Sequence, residues 1–391
     1  MPKLNAPNLE CDRRILLIVF ALMFVGVSFV GSASSYFCAA RFNDPYFLLK
    51  KHIVRVLIAC LFLLAALRVD YGKFRKVAPG AFVIGVMMLV GLFIFGHVIR
   101  DTARWYYIKW LQVTFQPAEF ARLALVVFLA YWVARSGKDI GDLTRGFLPA
   151  AGAMVLVVGL MAAQPNYGTA SATALVGFLV LFVGGARIKH LLALGGTLAA
   201  VALIRIMSVD YLRRRIIACW DSEKGITDLN WQPYQSLVGL GSGGITGIGF
   251  GESRQKLNWL PDSHTDFIFS ILGEEVGLIG TMLVSLLFLL LALRALKLAK
   301  KSGDSFGELL VVGIGGSVFV YAVLNMLVAT GLFPVTGLPL PFLSYGGSAL
   351  VVNAFSIGIL LNVSKKRSRR SAVHRRRSRR PVIQRGAVCA S

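Results

Sequence analysis

The chain has 391 residues, 56% of them hydrophobic, a mean hydropathy of +0.68 and a net charge of +23. It is far more apolar than a soluble globular protein, and apolar runs of about 18 to 22 residues recur along it. These values exclude an ordinary soluble enzyme and indicate an integral membrane protein. The first apolar run follows Arg13 and Arg14 and reaches Ser35 without a convincing cleavage site, so we interpret it as an anchor and not as a signal peptide.

The positive charge does not indicate a nucleic-acid partner, because of where it lies. Residues 365–391 hold 11 of the 42 Lys and Arg and no acid, and many others lie in short loops between apolar runs. The tendency of basic loops to stay on the cytoplasmic side of a membrane explains this distribution. The five cysteines have no metal-ligand spacing, so neither a disulfide framework nor a metal site is indicated.

The apolar runs predict ten membrane-spanning helices in an all-α protein. We place these helices at about residues 14–34, 52–68, 79–99, 117–135, 146–163, 168–186, 188–206, 266–295, 309–332 and 343–363. An even number of spans puts both termini on one side, and the loops on that side carry most of the Lys and Arg. We therefore expect both termini to be cytoplasmic and a large loop, residues 207–265, to be extracytoplasmic.

The sequence divides into three parts around this membrane domain. Residues 1–13 form a short cytoplasmic segment, and residues 14–364 contain the ten spans. Residues 365–391 are basic and have almost no apolar periodicity, which predicts a disordered cytoplasmic tail. Attraction to anionic lipid head groups is the simplest use of this tail, and a specific cytoplasmic partner is the alternative.

Four polar or helix-breaking segments meet at the predicted outer face, namely residues 104–122, 164–170, 235–266 and 334–348. In the first, Pro117 suits a helix start, and Glu119 and Arg122 follow at spacing i, i+3, so they can pair. Either the pair locks two helices together or it forms a charged wall of a substrate cavity. The second and fourth segments contain Pro and Gly; tight turns would explain this composition, and their convergence favours a site.

The large outer loop contains a glycine-rich run, GLGSGGITGIGFG, at residues 239–251. Glycines allow a backbone to approach a phosphate closely, but the run lacks the Lys-Ser/Thr ending of a P-loop. A plain flexible loop is the alternative interpretation.

Asp266 is the best candidate for a general base, because it lies where the outer loop passes into the apolar run FIFSIL, in the predicted first turn of the helix. A free Asp has a pKa of about 3.9, so partial burial would have to raise its pKa for proton abstraction. Glu274 and Glu275 follow at membrane depth, where a charge costs roughly 2.5 to 3.5 kcal/mol, and the three acids cannot all face one site. Nearby His264 is more simply a structural residue, and Ser344 has no His-Asp arrangement to activate it.

Five segments together resemble one protein family. FQPAEFARLAL, QPNYGTA, SRQKLNWLP, HTDFIFSILGEEVGLIG and LPLPFLSYGGS are similar, in order and spacing, to the shape, elongation, division and sporulation (SEDS) family over residues 15–365. The similarity is strongest to its division-associated members. It implies a peptidoglycan glycosyltransferase that polymerises lipid II at the outer face of the cytoplasmic (inner) membrane, at the division septum. It also implies partnership with a class B penicillin-binding protein, which crosslinks the strands, and with other division proteins.

The resemblance also implies roles for individual residues. Asp266 takes the place of the family's essential acid, Glu119 matches a family Glu, and Arg122 stands where Lys is usual. Asn166 departs from the family, which has Asp there, and residues 219–222 also depart. The residues expected to bind substrate are Glu119, Arg122, Arg104, Asn166, Gln235, Lys256, His264 and Ser344.

The mechanism implied is an inverting displacement in which Asp266 takes a proton from the acceptor hydroxyl as the lipid pyrophosphate leaves. Arg122, Lys256, Arg215 or a divalent cation such as Mg²⁺ or Mn²⁺ would neutralise the leaving group. Two other hypotheses remain: a transporter that flips lipid II along the polar Glu119 and Arg122, and a scaffold that recruits division proteins.

Overall fold

A computed structural model describes residues 11–99, 102–110, 113–220 and 230–378. These ranges form twelve α-helices and three short strands. In chain order they are α1 (Arg13–Phe42), α2 (Phe47–Arg68), α3 (Tyr71–Phe95), β1 (His97–Ile99), β2 (Thr102–Ile108), β3 (Val113–Phe115), α4 (Pro117–Ser136), α5 (Leu148–Ala163), α6 (Tyr167–Val183), α7 (Ile188–Ser208), α8 (Asp210–Trp220), α9 (Trp231–Gly243), α10 (Ile268–Ala299), α11 (Ser305–Ala329) and α12 (Gly347–Ser378). Each of the ten predicted spans corresponds to a helix, and α8 and α9 lie within the large loop.

Eight helices of the described chain are long and apolar enough to cross a membrane. The apolar helix α6 is shorter, at 17 residues, and α2 carries Lys50, Lys51 and Arg55 in its first half. The predicted helical, multi-pass membrane protein is therefore confirmed, with three short strands as an addition. The structure contains no lipid, so we name the two ends of the bundle by the predicted topology. The outer end is the end where α3 stops and α4 starts.

Several helices extend beyond the predicted spans, because hydropathy detects only the part of a helix that suits lipid. Helix α3 begins at Tyr71 and not at residue 79, since Asp70 caps it by accepting a 2.8 Å hydrogen bond from Gly72 N. Helix α1 continues to Phe42 and ends at Asn43, which has a left-handed φ of 52°.

A small antiparallel sheet at the outer end was not predicted. Strands are ordered β1-β2-β3, with Tyr106 opposite Phe115 in the second pair. The predicted third span ran to residue 99, whereas α3 ends at Phe95 and residues 97–99 pair with β2. The Tyr106 hydroxyl donates a 2.9 Å hydrogen bond to the Met88 carbonyl, which ties the sheet to α3.

Helices α4, α11 and α12 form the interior of the bundle. About two thirds or more of the membrane segment of each is buried, at 72%, 67% and 78% respectively. Helix α7 lies at the periphery, with 6% of its membrane segment buried. Polar side chains on α4, α11 and α12 are therefore removed from lipid and have to be satisfied within the protein.

Helix α10 is broken at Gly277, whose φ of 69° and ψ of −165° are not helical. The glycine-rich run fills the break: Ile248 N donates to the Glu274 carbonyl at 3.0 Å, and Leu278 N donates to the Gly244 carbonyl at 2.9 Å. A Cβ on Gly277 would lie 2.4 Å from Gly247 N, so the two backbones touch. The glycines therefore serve close backbone packing on α10, which neither sequence interpretation of this run anticipated.

At the opposite end, Asn362 of α12 joins two other segments. It accepts a hydrogen bond from Tyr71 N at 2.9 Å and donates one to the Leu67 carbonyl at 2.8 Å. The backbone of α12 then continues as a helix to Ser378, whereas disorder was predicted from residue 365. The Lys, Arg, Ala and Ser residues of this segment are compatible with a helix, and no proline lies between residue 347 and Pro381. Residues 1–10 and 379–391 lie outside the described residues.

Candidate active site at the outer end

Asp266 lies in an irregular turn, residues 261–267, just before α10. The first hydrogen bond of the helix runs from Ser270 N to the Phe267 carbonyl at 3.0 Å, so the helix begins at Ile268. The prediction that Asp266 occupies the first turn is therefore wrong by two residues. Its position is instead fixed by the turn, in which Asp266 N donates to the Asp262 carbonyl at 3.1 Å, and its side chain is half-buried.

The Asp266 turn touches the segment that precedes α12. A Cβ placed on Gly337 would lie 3.5 Å from Asp266 Oδ2, which puts that segment against the carboxylate. Asn325 of α11 joins the two: its Nδ2 donates to the Asp266 carbonyl at 2.7 Å and to the Leu338 carbonyl at 2.8 Å. The amide of Asn325 is thus shared between the candidate base and the neighbouring loop.

The segment between α5 and α6 completes this group. A Cβ on Gly168 would lie 2.6 Å from the Thr336 carbonyl oxygen, so residues 164–168 pack against the loop before α12. Arg104 of β2 donates to the Gln164 carbonyl at 3.3 Å and to the Pro165 carbonyl at 2.5 Å. We call the contacting residues Arg104, 164–168, Asn325, 336–338 and Asp266 the outer polar cluster.

Asn166 lies within this cluster at the start of α6. It is 4% exposed, and its Nδ2 has no hydrogen-bond partner among the residues that the structure describes. An unpaired buried amide is costly, and this donor occupies the position at which the resemblance implies Asp. Its role in substrate binding stays a prediction.

His264 of the Asp266 turn and Ser344 of the segment before α12 both have structural contacts. The His264 ring stacks on Phe37 with centroids 5.6 Å apart, and its carbonyl accepts a 3.0 Å hydrogen bond from Tyr345 N. The Ser344 hydroxyl accepts from Leu340 N at 2.8 Å and closes the turn before α12. Both residues thereby shape the edge of the cluster.

Glu119 and Arg122 form the predicted ion pair, with Arg122 Nη2 2.6 Å from Glu119 Oε2. Each side chain is 2% exposed. Arg122 also donates to Ser317 of α11 and Asn353 of α12, both at 2.9 Å. A small cavity adjoins the pair, lined by Arg122, Ser317, Asn353, Ser356 and four apolar residues. The pair therefore links α4, α11 and α12 in the interior.

One face of α11 connects this ion pair to the outer polar cluster. Ser317, Tyr321 and Asn325 follow at four-residue spacing, which places them on one side of a helix. Ser317 and the Tyr321 ring contact Arg122, the ring at 4.1 Å from Cζ, and Asn325 contacts the Asp266 turn. None of these three residues was predicted from the sequence, although polar residues repeating every four positions in an apolar helix were a visible signal.

The two acids at membrane depth bind the outer loop to α10. Glu274 accepts hydrogen bonds from Arg254 N at 3.1 Å and from Gln255 N at 3.2 Å. Lys256 lies 3.8 Å from Glu275, and its side chain is 11% exposed. Two candidate site residues are therefore placed away from solvent: Lys256 beside Glu275, and Gln235 on the buried side of α9, 7% exposed.

These features define a polytopic membrane protein with a polar site at one end of the bundle. The family model described as "Cell cycle protein", for FtsW, RodA and SpoVE, matches residues 13–369. The chain belongs to this family, the one that its sequence motifs resemble.

Individual relatives are similar over nearly their whole length. The chain is 38% identical to a protein named probable peptidoglycan glycosyltransferase FtsW from Trichlorobacter lovleyi, over 91% of this chain and 93% of that protein. It is 36% identical to stage V sporulation protein E from Bacillus subtilis, over 90% and 97%.

Solved structures show the same fold. A chain from a structure titled "Structural coordination of polymerization and crosslinking by a peptidoglycan synthase complex" superposes with a TM-score of 0.74 at 27% identity, over 91% of this chain and 98% of that one. The rod shape determining protein RodA from Thermus thermophilus superposes with a TM-score of 0.67 at 27% identity, over 91% and 97%.

Proposed function

We propose that this protein is a peptidoglycan glycosyltransferase that polymerises lipid II into glycan strands at the outer face of the cytoplasmic membrane during cell division. The named activity of its relatives supports the reaction. The assignment of the active site depends on one observation: Asp266 is half-buried, and its carboxylate lies against Gly337 within the outer polar cluster. A carboxylate at this end of the bundle can meet a sugar held above the bilayer.

The proposed step is one displacement. The oxygen of the acceptor sugar's 4-hydroxyl attacks the anomeric carbon of the donor strand, and the bond from that carbon to the pyrophosphate oxygen breaks. The hydroxyl proton passes to the Asp266 carboxylate, and polyprenyl pyrophosphate leaves with the bonding electron pair. Asp266 acts here as a general base.

The charge of the leaving pyrophosphate needs a positive group, and two of the candidates are already paired. Arg122 is bound to Glu119, and Lys256 lies beside Glu275. Arg215, the third cation proposed for this role, lies on α8, and Arg104, proposed to bind substrate, donates to the Gln164 and Pro165 carbonyls of the cluster. A divalent cation stays a prediction: the described residues include no group of three His, Cys, Asp or Glu placed to hold one, so no step is derived through it.

For the partner, we propose a class B penicillin-binding protein that docks on α10. The side of α10 after the break exposes an apolar stripe with alternating spacings of three and four. It consists of Ile279, Met282, Leu286, Leu289, Leu293 and Leu296, each 42% to 63% exposed. This spacing suits helix-to-helix packing in a membrane. The similar synthase complex, whose title names both polymerization and crosslinking, supports such a partner.

We further propose that both termini are cytoplasmic and that the protein acts at the division septum. The count of basic residues in alternate loops supports the orientation. The description of the family as "Cell cycle protein" supports a role in division.

The experiment is a polymerisation assay in detergent. Purified protein is mixed with its transpeptidase partner and lipid II, and glycan chains are separated by gel electrophoresis. We expect chains longer than the disaccharide substrate. A flippase or a scaffold would produce none, since detergent removes the two compartments and recruitment alone forms no bond, and that result would contradict the proposal.

A further inference from the structure

Asn325 has no part in the reaction as proposed, yet its side chain donates a hydrogen bond to the backbone of the candidate base. It is 1% exposed and lies in an otherwise apolar stretch of α11. Both of its contacts are backbone carbonyls, those of Asp266 and Leu338. Because only the nitrogen of the amide can donate to carbonyls, these contacts also fix the orientation of the amide group.

The contact matters because α10 does not restrain the Asp266 carbonyl. The first hydrogen bonds of α10 run from Ser270 N and Ile271 N, and both end on the Phe267 carbonyl. The Asp266 carbonyl instead accepts a hydrogen bond from the side chain of Asn325 on α11. Asp266, two residues before α10, is therefore held through a side chain of another helix.

The second contact sets the opposite wall of the same site. Leu338 directly follows Gly337, which faces Asp266 Oδ2. One amide thus restrains both the residue that carries the carboxylate and the loop against which the carboxylate rests. Displacement of either segment would change the distance from the carboxylate to a bound sugar.

We infer that Asn325 is a positioning residue that fixes the position of the Asp266 carboxylate relative to residues 336–338. This inference rests on the proposed function, in which Asp266 is the general base. It predicts a loss in kcat and little change in KM, because Asn325 is buried and cannot contact the lipid-linked substrate. Misplacement of a reacting group by about 1 Å can cost on the order of 10²-fold in rate.

The chain provides a matched control in Asn362. It is also a buried asparagine in a membrane helix, and it also bridges two segments, but at the opposite end of the bundle. Replacement of either residue removes hydrogen bonds from buried backbone groups, so general destabilisation should be similar. Only Asn325 lies beside Asp266.

The test compares Asn325→Ala and Asn325→Asp with Asn362→Ala and Asn362→Asp in the full-length protein with its partner. Thermal stability, kcat and KM for lipid II are measured for each folded variant. We expect kcat to fall by about 30-fold or more in the Asn325 variants and by less than about 3-fold in the Asn362 variants, with KM within about 3-fold throughout.

An equal fall of kcat in both pairs, a rise of KM without a fall of kcat, or failure of both Asn325 variants to fold would overturn the inference. Asp266→Asn is measured in parallel. If it polymerises at the native rate, the proposed function of Asp266 fails, whatever the Asn325 variants do. If it is inactive and the Asn325 variants retain native kcat, only the positioning role fails.

Discussion

The guanidinium of Arg122 and the carboxylate of Glu119 form a closed ion pair, 2.6 Å apart and each 2% exposed, in the interior of the bundle. Ser317 and Asn353 take further hydrogen bonds from Arg122, and the Tyr321 ring lies under its guanidinium. These contacts outside the pair are all with residues of α11 and α12. Of the two sequence interpretations, the geometry favours the one in which the pair locks helices together.

Removal of one member of this pair should destabilise the protein strongly. Breaking a buried ion pair costs about 3–5 kcal/mol because the other charge is left uncompensated. We expect Glu119→Gln to lower the thermal stability in detergent markedly. Arg122→Lys should have a smaller effect, since it keeps the charge but loses the planar group that reaches Ser317 and Asn353. Unchanged thermal stability with a raised KM for lipid II would instead indicate a substrate-binding wall.

The break in α10 should not accept a side chain at Gly277. A Cβ there would meet Gly247 N at 2.4 Å and the Ile245 carbonyl oxygen at 2.5 Å, and the positive φ adds strain. We expect Gly277→Ala to give little folded protein by size-exclusion chromatography. Gly241→Ala is the matched control, because its Cβ would meet no atom within 4 Å. Equal yields of the two variants would contradict the packing described.

Glu274 should hold the outer loop against α10. Its carboxylate accepts hydrogen bonds from the Ser253 hydroxyl and from the backbone N–H groups of Arg254 and Gln255. The NH₂ group of a glutamine at this position would face these donors and could not accept from them. We expect Glu274→Gln to speed tryptic cleavage at Arg254 and Lys256 by several-fold. Exposed Glu252 in the same segment gives the control Glu252→Gln, which should be cleaved at the native rate.

The apolar stripe on α10 should be required for the partner. We expect the double replacement Leu286→Ala and Leu293→Ala to reduce co-purification of the penicillin-binding protein, because it removes packing area from the middle of the stripe. The control replaces two exposed leucines of α7, Leu192→Ala and Leu203→Ala. Loss of the partner in both double variants, or in neither, would argue against α10 as the docking helix.

The helices could be predicted from sequence because each needs a long apolar run, and such runs are visible in one dimension. The pairing of Glu119 with Arg122 was predictable for the same reason, since it depends only on spacing within one helix. The break at Gly277 was not, because it depends on a second segment, residues 243–251, whose backbone supplies the missing hydrogen bonds.

The sequence predicted which segments form the candidate site, but it did not predict how their side chains are arranged. Convergence of the outer segments follows from topology, and the structure brings Arg104, residues 164–168 and Asp266 together. That Lys256 turns toward Glu275 depends on a contact between a loop and a helix 19 residues away in sequence, which no local pattern encodes. The four-residue spacing of Ser317, Tyr321 and Asn325 is visible in the sequence, but the partners of Asn325 are backbone carbonyls, which no sequence pattern identifies.

The measurement that tests the account most directly is the initial rate of glycan polymerisation by Asp266→Asn, with Asp262→Asn as control. Asp262 lies in the same turn, and its φ of 56° suits Asn as well as Asp. We predict that Asp266→Asn binds lipid II but forms no detectable polymer, whereas Asp262→Asn polymerises within about 3-fold of the native rate, as expected of a change that removes no general base. Polymerisation by Asp266→Asn at the native rate would contradict the central claim.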